Sequence, residues 1–405
     1  MRDGWQEVEI RDVVSLNPES VSKKTPPGEI QYIDIAAVSA TGVDSSAIRT
    51  LAYANAPSRA QRYLRGGDTM VSTVRPYLRA RAFVGPKLDG HVASTGFCVL
   101  RPTERIVAGY LDAVTSTDDF YAHLESRQTG SAYPAVRPED IGEMRVPLPP
   151  IDEQRRIADV LEALDALRAD AMVETAAAAT VAKRLRARLL GDEEFDRVRL
   201  ADAVDITMGR QRSPKHQTGD HIVPYIRAAN IKDGFLALDD VLRMNFTPAE
   251  QRKFQLMPGD VLVTEGCGSL SQIGANAVWR AQISETVCFQ NTVLRLRAVE
   301  GRTIAGFVAH WARHAFDSGA FAATSFGTSI FHIGAERAAE MLFPLVTAER
   351  QKVITRLLDA AENSAQATEM RVESLGAVRA ALLSALLSGE HVIPGSYDRF
   401  LAEVA

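Results

Sequence analysis

Two stretches of the 405-residue chain cluster basic side chains of the kind that bind phosphate. Between positions 59 and 81 only Asp68 opposes the cations, which are Arg59, Arg62, Arg65, Arg75, Arg79 and Arg81. Between 207 and 232 only Asp220 opposes a second set, which is Arg210, Arg212, Lys215, Arg227 and Lys232 with His216 and His221. Such residues contact nucleic-acid phosphates, and arginine also reads base edges. A solvated basic surface remains open as the alternative for either stretch. The formal net charge of −5 excludes only a protein that is basic all over.

The patterns of known catalytic sites are incomplete. Asn17-Pro18-Glu19 lacks the second proline and the aromatic residue of an adenine methyltransferase site. No G-x-x-x-x-G-K-[ST] loop occurs, which excludes an ATP-driven motor from this chain. His310 and His314 have the spacing of zinc ligands, but Trp311 stands where the glutamate of that motif belongs, so we expect a helix pair without metal.

Composition favours a soluble cytoplasmic protein. Hydrophobic residues make up 46% of the chain, no apolar run approaches the length of a membrane span, and the first residues have no signal-peptide pattern. Cys98, Cys267 and Cys288 are too scattered for a disulfide framework or a zinc cluster, so we expect buried, unreactive thiols.

The chain repeats itself. Gln154 and Gln351 lie 197 positions apart, as do Ile157 and Ile354, and Leu161 and Leu358. Upstream, an aromatic residue with alternating apolar positions recurs at 5–14 and 195–204, and a Gly-Asp turn feeding an apolar strand recurs at 67–72 and 259–264. The offset drifts from 190 to 197, as expected when loops differ around a shared framework. We therefore expect one fold used twice.

Each repeat ends in a long helix with apolar residues at three- and four-residue steps. The first set is Ile157, Leu161, Leu164, Leu167, Ala171, Ala178, Val181, Leu185 and Leu189, and the second is Ile354, Leu357, Ala361, Ala365, Leu375, Val378, Leu382 and Leu386. A lone helix would expose this stripe, so the two helices should pack on each other. A rod of roughly 58 Å exceeds a domain width of about 40 Å, which requires them to run antiparallel.

The chain resembles the specificity subunits of type I restriction-modification systems. The resemblance lies in the run from Thr129 to Ile141, in Val146-Pro147-Leu148-Pro149-Pro150, and in Glu153-Gln154 with Ile157. The second repeat contributes the segments 223–231, 259–263 and 266–269, Ile273-Gly274, and the positions Leu383, Leu387 and Gly389. It departs from the family at Thr347-Ala348-Glu349, where the family usually has a Pro-Pro…Glu-Gln start.

The resemblance implies an α+β fold. Two similar target-recognition domains, mostly β with flanking helices, would be separated by two long antiparallel coiled-coil helices about a pseudo-two-fold axis. The segments are target recognition domain 1 at 1–150, a central spacer helix at 151–191, target recognition domain 2 at 192–346, a C-terminal spacer helix at 347–390 and a tail at 391–405.

The resemblance also implies a non-catalytic DNA-reading subunit. It would read a bipartite, asymmetric double-stranded site and dock DNA adenine methyltransferase (modification) and restriction-translocase subunits. S-adenosylmethionine, ATP and Mg would belong to those partners. The expected DNA contacts are Arg75, Tyr77, Arg79 and Arg81 in the first repeat, and Arg210, Arg212, Lys215, Arg227, Asn230, Ser269 and Gln272 in the second.

Three alternatives remain at this stage. Asn230 can cap a turn instead of touching DNA. The chain can be an adaptor or solitary decoy that binds methyltransferase subunits without reading DNA. A nuclease is the least favoured class, because no Asp/Glu cluster has convincing metal-ligand spacing.

Overall fold

The computed structural model describes residues 2, 4–22 and 27–398, which form two units of mixed sheet and helix. The first unit comprises Met1–Ala171 and Arg371–Ala405, and the second comprises Met172–Met370. The expected α+β class is confirmed. The linear domain limits proposed from the sequence stay a prediction.

The first unit consists of short strands followed by three short helices. The strands are β1 (Gln6–Glu9), β2 (Val14–Leu16), β3 (Glu29–Ile33), β4 (Val38–Ser39), β5 (Gly42–Val43), β6 (Arg49–Ala52), β7 (Ala60–Tyr63), β8 (Thr69–Ser72), β9 (Arg81–Phe83), β10 (Val92–Ser94), β11 (Phe97–Pro102) and β12 (Arg145–Leu148). The helices are α1 (Ala108–Thr115), α2 (Asp118–Arg127) and α3 (Pro138–Gly142). A long helix, α4 (Ile151–Leu190), begins after β12.

The second unit repeats this order for most of its elements. Its strands are β13 (Arg197–Arg199), β14 (Val204–Met208), β15 (Ile222–Ile226), β16 (Leu242–Asn245), β17 (Val261–Thr264), β18 (Gly266–Cys267), β19 (Asn276–Val278), β20 (Cys288–Phe289), β21 (Val293–Ala298), β22 (Phe331–His332) and β23 (Leu342–Pro344). Its helices are α5 (Pro248–Phe254), α6 (Ala305–Asp317), α7 (Ala320–Thr324), α8 (Ala335–Ala339) and the long α9 (Ala348–Leu387). The order differs in that a helix, α5, stands between its fourth and fifth strands and a short strand, β22, stands between α7 and α8.

Sheet topology confirms that the two halves share a fold. An antiparallel sheet of order β2-β11-β8-β9 in the first unit matches β14-β21-β17-β19 in the second. Beside it, β10 runs parallel to β3, as β20 runs parallel to β15. The pair β1-β12 has its counterpart in β13-β23. The repeat visible in the sequence is therefore a repeat of strand pairings.

A buried aspartate fixes the main sheet of each unit. Asp68 accepts from Arg101 Nε and Nη2 at 2.8 and 2.9 Å, and Asp260 accepts from Arg297 Nε and Nη2 at 2.6 and 2.7 Å. Both aspartates are 1% exposed. Bidentate arginine–carboxylate pairs are strong and directional. The Gly-Asp motif, expected only as a turn, thus also fastens β8 to β11 and β17 to β21.

The repeated glutamine ties each long helix to its unit. Gln154 Nε2 donates to the carbonyl of Pro149 at 2.9 Å, and its Oε1 accepts from the backbone of Val107 at 2.8 Å. Gln351 makes the same pair of contacts, with Val346 at 3.0 Å and Ile304 at 3.1 Å. Each glutamine is 1% exposed. It satisfies buried backbone groups that would otherwise cost free energy.

Each unit packs one end of α4 against the opposite end of α9. In the first unit Ile157 and Leu161 share a core with Leu383 and Leu386. In the second, Leu190 shares a core with Ile354 and Leu358. The first turns of one helix therefore meet the last turns of the other, which confirms the antiparallel direction.

The expected apolar stripe is only partly buried. Leu167 and Val378 in the first unit are 47% and 53% exposed, and Val181 and Leu357 in the second are 60% and 50% exposed. The buried seam passes through smaller residues instead, such as Ala171 at 0% exposed. The prediction that these four apolar residues pack between the helices is wrong, because about half or more of each residue is exposed.

The described part of the C-terminal tail belongs to the core of the first unit. Ile393 is 9% exposed and lies in that core. Asp398 accepts from Arg156 Nη1 at 3.0 Å. The predicted tail segment beyond Asp398 lies outside the described residues.

The thiols confirm part of the expectation for cysteine. Cys98 and Cys288 are buried, and burial raises the pKa of each thiol to about 12. Cys267 is half-buried. Across the residues that the structure describes, no His, Cys, Asp and Glu side chains come together as a metal site. None of the described helices has the length and apolarity that crossing a bilayer requires.

An ionic network joins three helices of the second unit. His310 on α6 is buried, and its Nε2 lies 2.9 Å from Asp359 Oδ1 on α9. Arg186 on α4 is buried between Asp317 and Glu362. Burial raises the pKa of Glu362, but the hydrogen bond from His310 and the charge of Arg186 outweigh burial and hold that pKa at about 2.

We predict that Glu362→Gln lowers the free energy of unfolding at pH 7 by about 1–2 kcal/mol, less than the full pKa shift implies, because solvent screens the exposed part of the side chain. That side chain is 42% exposed. A carboxyl with a lowered folded pKa stabilises the fold above its ordinary value of 4.5 and loses this effect as the pH falls toward about 2. Urea unfolding at several pH values measures the difference from wild type, which should shrink below pH 4.5.

Glu369→Gln is the matched control, since Glu369 is exposed on the same helix. It should leave stability nearly unchanged at every pH. Equal stability of Glu362→Gln and wild type at pH 7 would contradict the role given to the network.

Candidate nucleic-acid interface

The loop that follows β8 presents side chains from a strained, well-fixed backbone. Arg75 and Arg79 adopt left-handed φ angles of 50° and 53° on either side of a turn at Pro76–Leu78. Non-glycine residues adopt this conformation rarely and at some cost. Here Arg75 N–H donates to Pro134 O at 2.7 Å and Arg79 N–H donates to Pro76 O at 2.8 Å. Strain of this kind is typical of functional loops.

Three of the four predicted contacts in this unit face solvent or the loop surface. Tyr77 is 51% exposed, and Arg79, whose side chain is 44% exposed, pairs with Asp118. The Arg75 guanidinium lies 5.1 Å from the centre of the Tyr133 ring and forms no ion pair within the described part of the chain. Arg75 is therefore the arginine of this loop whose charge is least satisfied internally.

Arg81 is placed differently. It pairs with Asp112 on α1, and its side chain is only 15% exposed. Its guanidinium is used inside the unit, so it fastens β9 to the helix layer. The structure assigns Arg81 a structural contact and leaves it little surface with which to meet a ligand.

A second loop, at 129–136, completes the tip of the first unit. Thr129 and Ala135 form a β-bridge, Val74 bridges to Ala135, and Val136 N–H donates to Thr73 O at 2.9 Å. Tyr133 projects from this loop and is 71% exposed. This segment carries part of the family resemblance, but its residues are not among the DNA contacts predicted from the sequence. Its signal was an aromatic residue in a glycine- and serine-containing loop.

In the second unit the matching tip pairs β18 with β22, and Glu265 organises it. Glu265 is 4% exposed, accepts from the Gly334 backbone at 3.3 Å and lies 3.2 Å from His332 Nδ1. Gly266 is needed here because a Cβ would lie 2.9 Å from the His332 ring. The close packing of His332 therefore accounts for glycine at position 266.

The predicted readers of this loop remain accessible. Ser269 and Gln272 are both exposed, and Ser269 Oγ lies 2.9 Å from Ser271 Oγ. The Gln272 N–H donates to the Ser269 carbonyl at 3.0 Å, which closes the turn between them. Their side chains are free to approach a ligand from one side of the turn.

The two arginines of the loop after β14 have different surroundings. Arg210 pairs with Glu250 at 2.9 Å and lies 5.2 Å from the Phe246 ring centre, with its side chain 12% exposed. Arg212 is exposed. The side chain of Lys215 lies outside the described residues. Of this pair, only Arg212 presents its charge to solvent.

The last two predicted contacts hold a turn. Asn230 is 2% exposed, its Oδ1 accepts from Arg227 N–H at 3.1 Å, and its Nδ2 donates to the carbonyls of Ala237 and Asp240 at 3.0 Å. Arg227 pairs with Asp240. The turn-capping alternative for Asn230 is therefore correct. Its amide has no exposed atom left for DNA.

Comparisons with known proteins agree with this geometry. Residues 2–174 match the model of the type I restriction modification DNA specificity domain. This segment contains both loops of the first tip. Residues 2–174 thus form a type I restriction-modification specificity domain. The resemblance stated from the sequence is confirmed.

Curated relatives of this specificity domain match at low identity. The EcoKI specificity subunit of Escherichia coli is 21% identical over 220 residues, which cover 50% of this chain and 47% of that protein. The HindI specificity subunit of Haemophilus influenzae is 25% identical over 112 residues, covering 27% of this chain and 24% of that one. The chain thus spans about half, or less, of the length of these relatives.

Solved structures share the fold over nearly the whole chain. A chain from a study of complex assembly in the type I system covers 96% of this chain and 98% of its own, with a TM-score of 0.65 and 24% identity. The S subunit from M. genitalium gives a TM-score of 0.54 at 14% identity, covering 95% and 96%. These likenesses concern the fold alone.

We predict that Arg75→Ala and Arg81→Ala separate binding from folding. Arg75→Ala should weaken duplex binding by roughly fivefold or more while leaving the melting temperature unchanged, because the Arg75 guanidinium forms no ion pair in the described part of the chain and lies over an exposed ring. Arg81→Ala should destabilise the fold by about 1–3 kcal/mol, because it leaves Asp112 unpaired in a half-buried place. Thermal unfolding and fluorescence anisotropy measure the two effects. Wild-type affinity in a folded Arg75→Ala variant would remove Arg75 from the interface.

Proposed function

We propose that the chain is the DNA-recognition subunit of a type I restriction-modification complex. Each unit would read one half of a bipartite, asymmetric site in double-stranded DNA. The observation that carries this proposal is the recurrence of one exposed two-loop tip on a shared framework, with different side chains in the two copies. Two similar scaffolds with different reading surfaces suit a site with two different halves.

The charge at the tip of the first unit supports DNA as the ligand. No acidic residue occurs at 69–88 or at 127–138, the two segments that contain its loops. Within them Arg79 and Arg137 pair with Asp118 and Asp140, whereas Arg75 forms no ion pair in the described part of the chain. Phosphate contacts hold a protein in register on the duplex, and base-edge contacts select the sequence. Arg75 is suited to either kind of contact, Arg212 to phosphate, and Ser269 with Gln272 to base edges.

The subunit would not itself be catalytic. Adenine methylation and DNA cleavage would be carried out by modification and restriction subunits, which would bring S-adenosylmethionine, ATP and Mg. The exposed apolar residues of the long helices support docking of such partners, since Leu167 and Val378 in the first unit, and Val181 and Leu357 in the second, face solvent.

Methylation mapping tests the proposal directly. We expect cells that express the chain with its methyltransferase subunit to carry N6-methyladenine at one motif with two specified halves and an unspecified gap. Cells with the methyltransferase subunit alone should lack it. Complex formation without any methylated motif would favour the adaptor or decoy reading over DNA recognition.

The long helices would set the gap between the half-sites. We predict that deleting Ala176–Ala179 from α4, with four residues from the facing turn of α9, shortens the gap by about two base pairs. One helical turn is about 5.4 Å and a base pair rises about 3.4 Å. Sequencing of methylated adenines measures the gap. A methylated motif with its original gap would exclude the helices as the spacer.

Duplex binding should depend steeply on salt. Each phosphate neutralised by a cation contributes about −0.9 to the slope of log affinity against log salt concentration. If Arg75 and Arg212 each contact a phosphate, each alanine variant should reduce the slope by roughly one. Binding titrations between about 50 and 200 mM salt measure this slope. An unchanged slope in both variants would exclude phosphate contacts for both arginines.

A further inference from the structure

The second loop of each tip has the same construction in both units. Gly130 and Gly327 occupy equivalent positions with φ of 90° and 115°. A Cβ on either one would come within 3.0 or 2.0 Å of the carbonyl oxygen three residues later, which belongs to Tyr133 or Ile330. The glycine therefore permits a tight loop whose outermost large side chain is the residue at this third position.

That outermost side chain is exposed and apolar in both copies. Tyr133 is 71% exposed and Ile330 is 56% exposed. The residue three positions further along is buried in each case, with Val136 at 5% and Ile333 at 0%. Each loop is therefore anchored from beneath by one apolar residue while a second one projects into solvent. The recurrence of one large exposed residue at the same position of the same fixed loop in both units points to a contact surface.

The surroundings of the exposed residues favour nucleic acid over an apolar protein surface. The Arg75 guanidinium stacks over Tyr133, and the Arg337 guanidinium lies 4.0 Å from the ring centre of exposed Phe326 in the other unit. The segments 127–138 and 325–335 contain no acidic residue. Exposed apolar side chains on loops whose own sequence has no acidic residue, with an arginine over a neighbouring ring, suit a ligand that presents phosphates and base edges.

We propose that Tyr133 and Ile330 are apolar DNA contacts, one for each half of the target. Each side chain meets base edges, such as a thymine methyl group, in a groove of its own half-site. Arg75 is held by the Tyr133 ring and by Pro134 O, so both loops of the first tip act on the same few base pairs. This inference rests on the proposed function and names specificity residues for it.

A tryptophan reporter tests the contact. The three native tryptophans, Trp5, Trp279 and Trp311, are 8%, 2% and 3% exposed, so they are shielded from a bound duplex. Tyr133→Trp places an indole at the tip. The assembled complex is titrated with a duplex that carries the methylated motif, and the wild-type complex is subtracted to remove partner tryptophans. We expect the emission of the new indole to be quenched as the duplex binds.

Phe83→Trp is the matched control. Phe83 is 41% exposed in the same unit, and it pairs with Thr69 at the end of the β8–β9 hairpin away from the loop. Its emission should not change. If the Tyr133→Trp complex binds the duplex, as anisotropy shows, without quenching, the inference is wrong while the proposed function stands. If the wild-type complex shows no preference for any duplex sequence, the proposed function fails and the inference with it.

Methylation mapping adds a second measurement, the set of bases specified in each half of the motif. A purely structural role for Tyr133 or Ile330 would not change one half alone. Tyr133→Ala should relax the specified bases of one half of the motif, with affinity falling on the order of tenfold, and leave the other half unchanged. Ile330→Ala should do the reverse. Tyr133→Phe, which keeps the ring, should retain the original motif. Loss of both halves together in a folded Tyr133→Ala variant would overturn the assignment to one half-site.

Discussion

Neither unit closes its hydrophobic core without segments that are remote in the sequence. The first unit buries Leu383, Leu386 and Ile393 against Ile157, and the second buries Leu190 beside Ile354. A β-rich layer with one apolar face requires a partner layer, and here both long helices supply part of it. The core of the first unit is consequently complete only after residues 383–393 have been made. Contacts of such high sequence separation also imply slow folding.

This constraint explains why certain polar residues recur while the loops diverge. Gln154 and Gln351 satisfy backbone groups at the point where a helix meets its unit, and Asp68 and Asp260 lock the same pair of strands through an arginine. These side chains are buried and fully bonded, so they tolerate little change. At the tip of the second unit Glu265 makes a buried contact of the same kind, but the outer side chains Tyr77, Tyr133 and Ile330 are exposed. A framework fixed by buried polar contacts therefore leaves these exposed side chains free to vary.

The sequence predicted the framework well because periodicity and repetition report backbone pairing. The predicted limits of the two long helices lie within three residues of those of α4 and α9, and the repeated Gly-Asp and Gln positions make equivalent contacts in the two units. It predicted the packing of the helix faces less well. An apolar residue at helical spacing, such as Val181, gives the same sequence pattern whether it faces another helix or solvent. Whether it is buried depends on which residues lie opposite it in the folded chain.

The sequence is equally unable to show which arginines of the candidate site are unpaired. Arg75, Arg79 and Arg81 lie within seven consecutive positions of one basic run. Arg81 is nevertheless paired with Asp112, while Arg75 lies over the exposed Tyr133 ring. Composition counts these arginines equally, but a guanidinium already paired within the fold must give up that pair before it can bind a phosphate. Asp112, which pairs with Arg81, is 31 residues away in the sequence. Tyr133, whose ring lies beneath Arg75, belongs to the second loop. The chemistry of a basic stretch is thus set by which arginines the tertiary fold leaves unpaired, and local sequence does not contain that information.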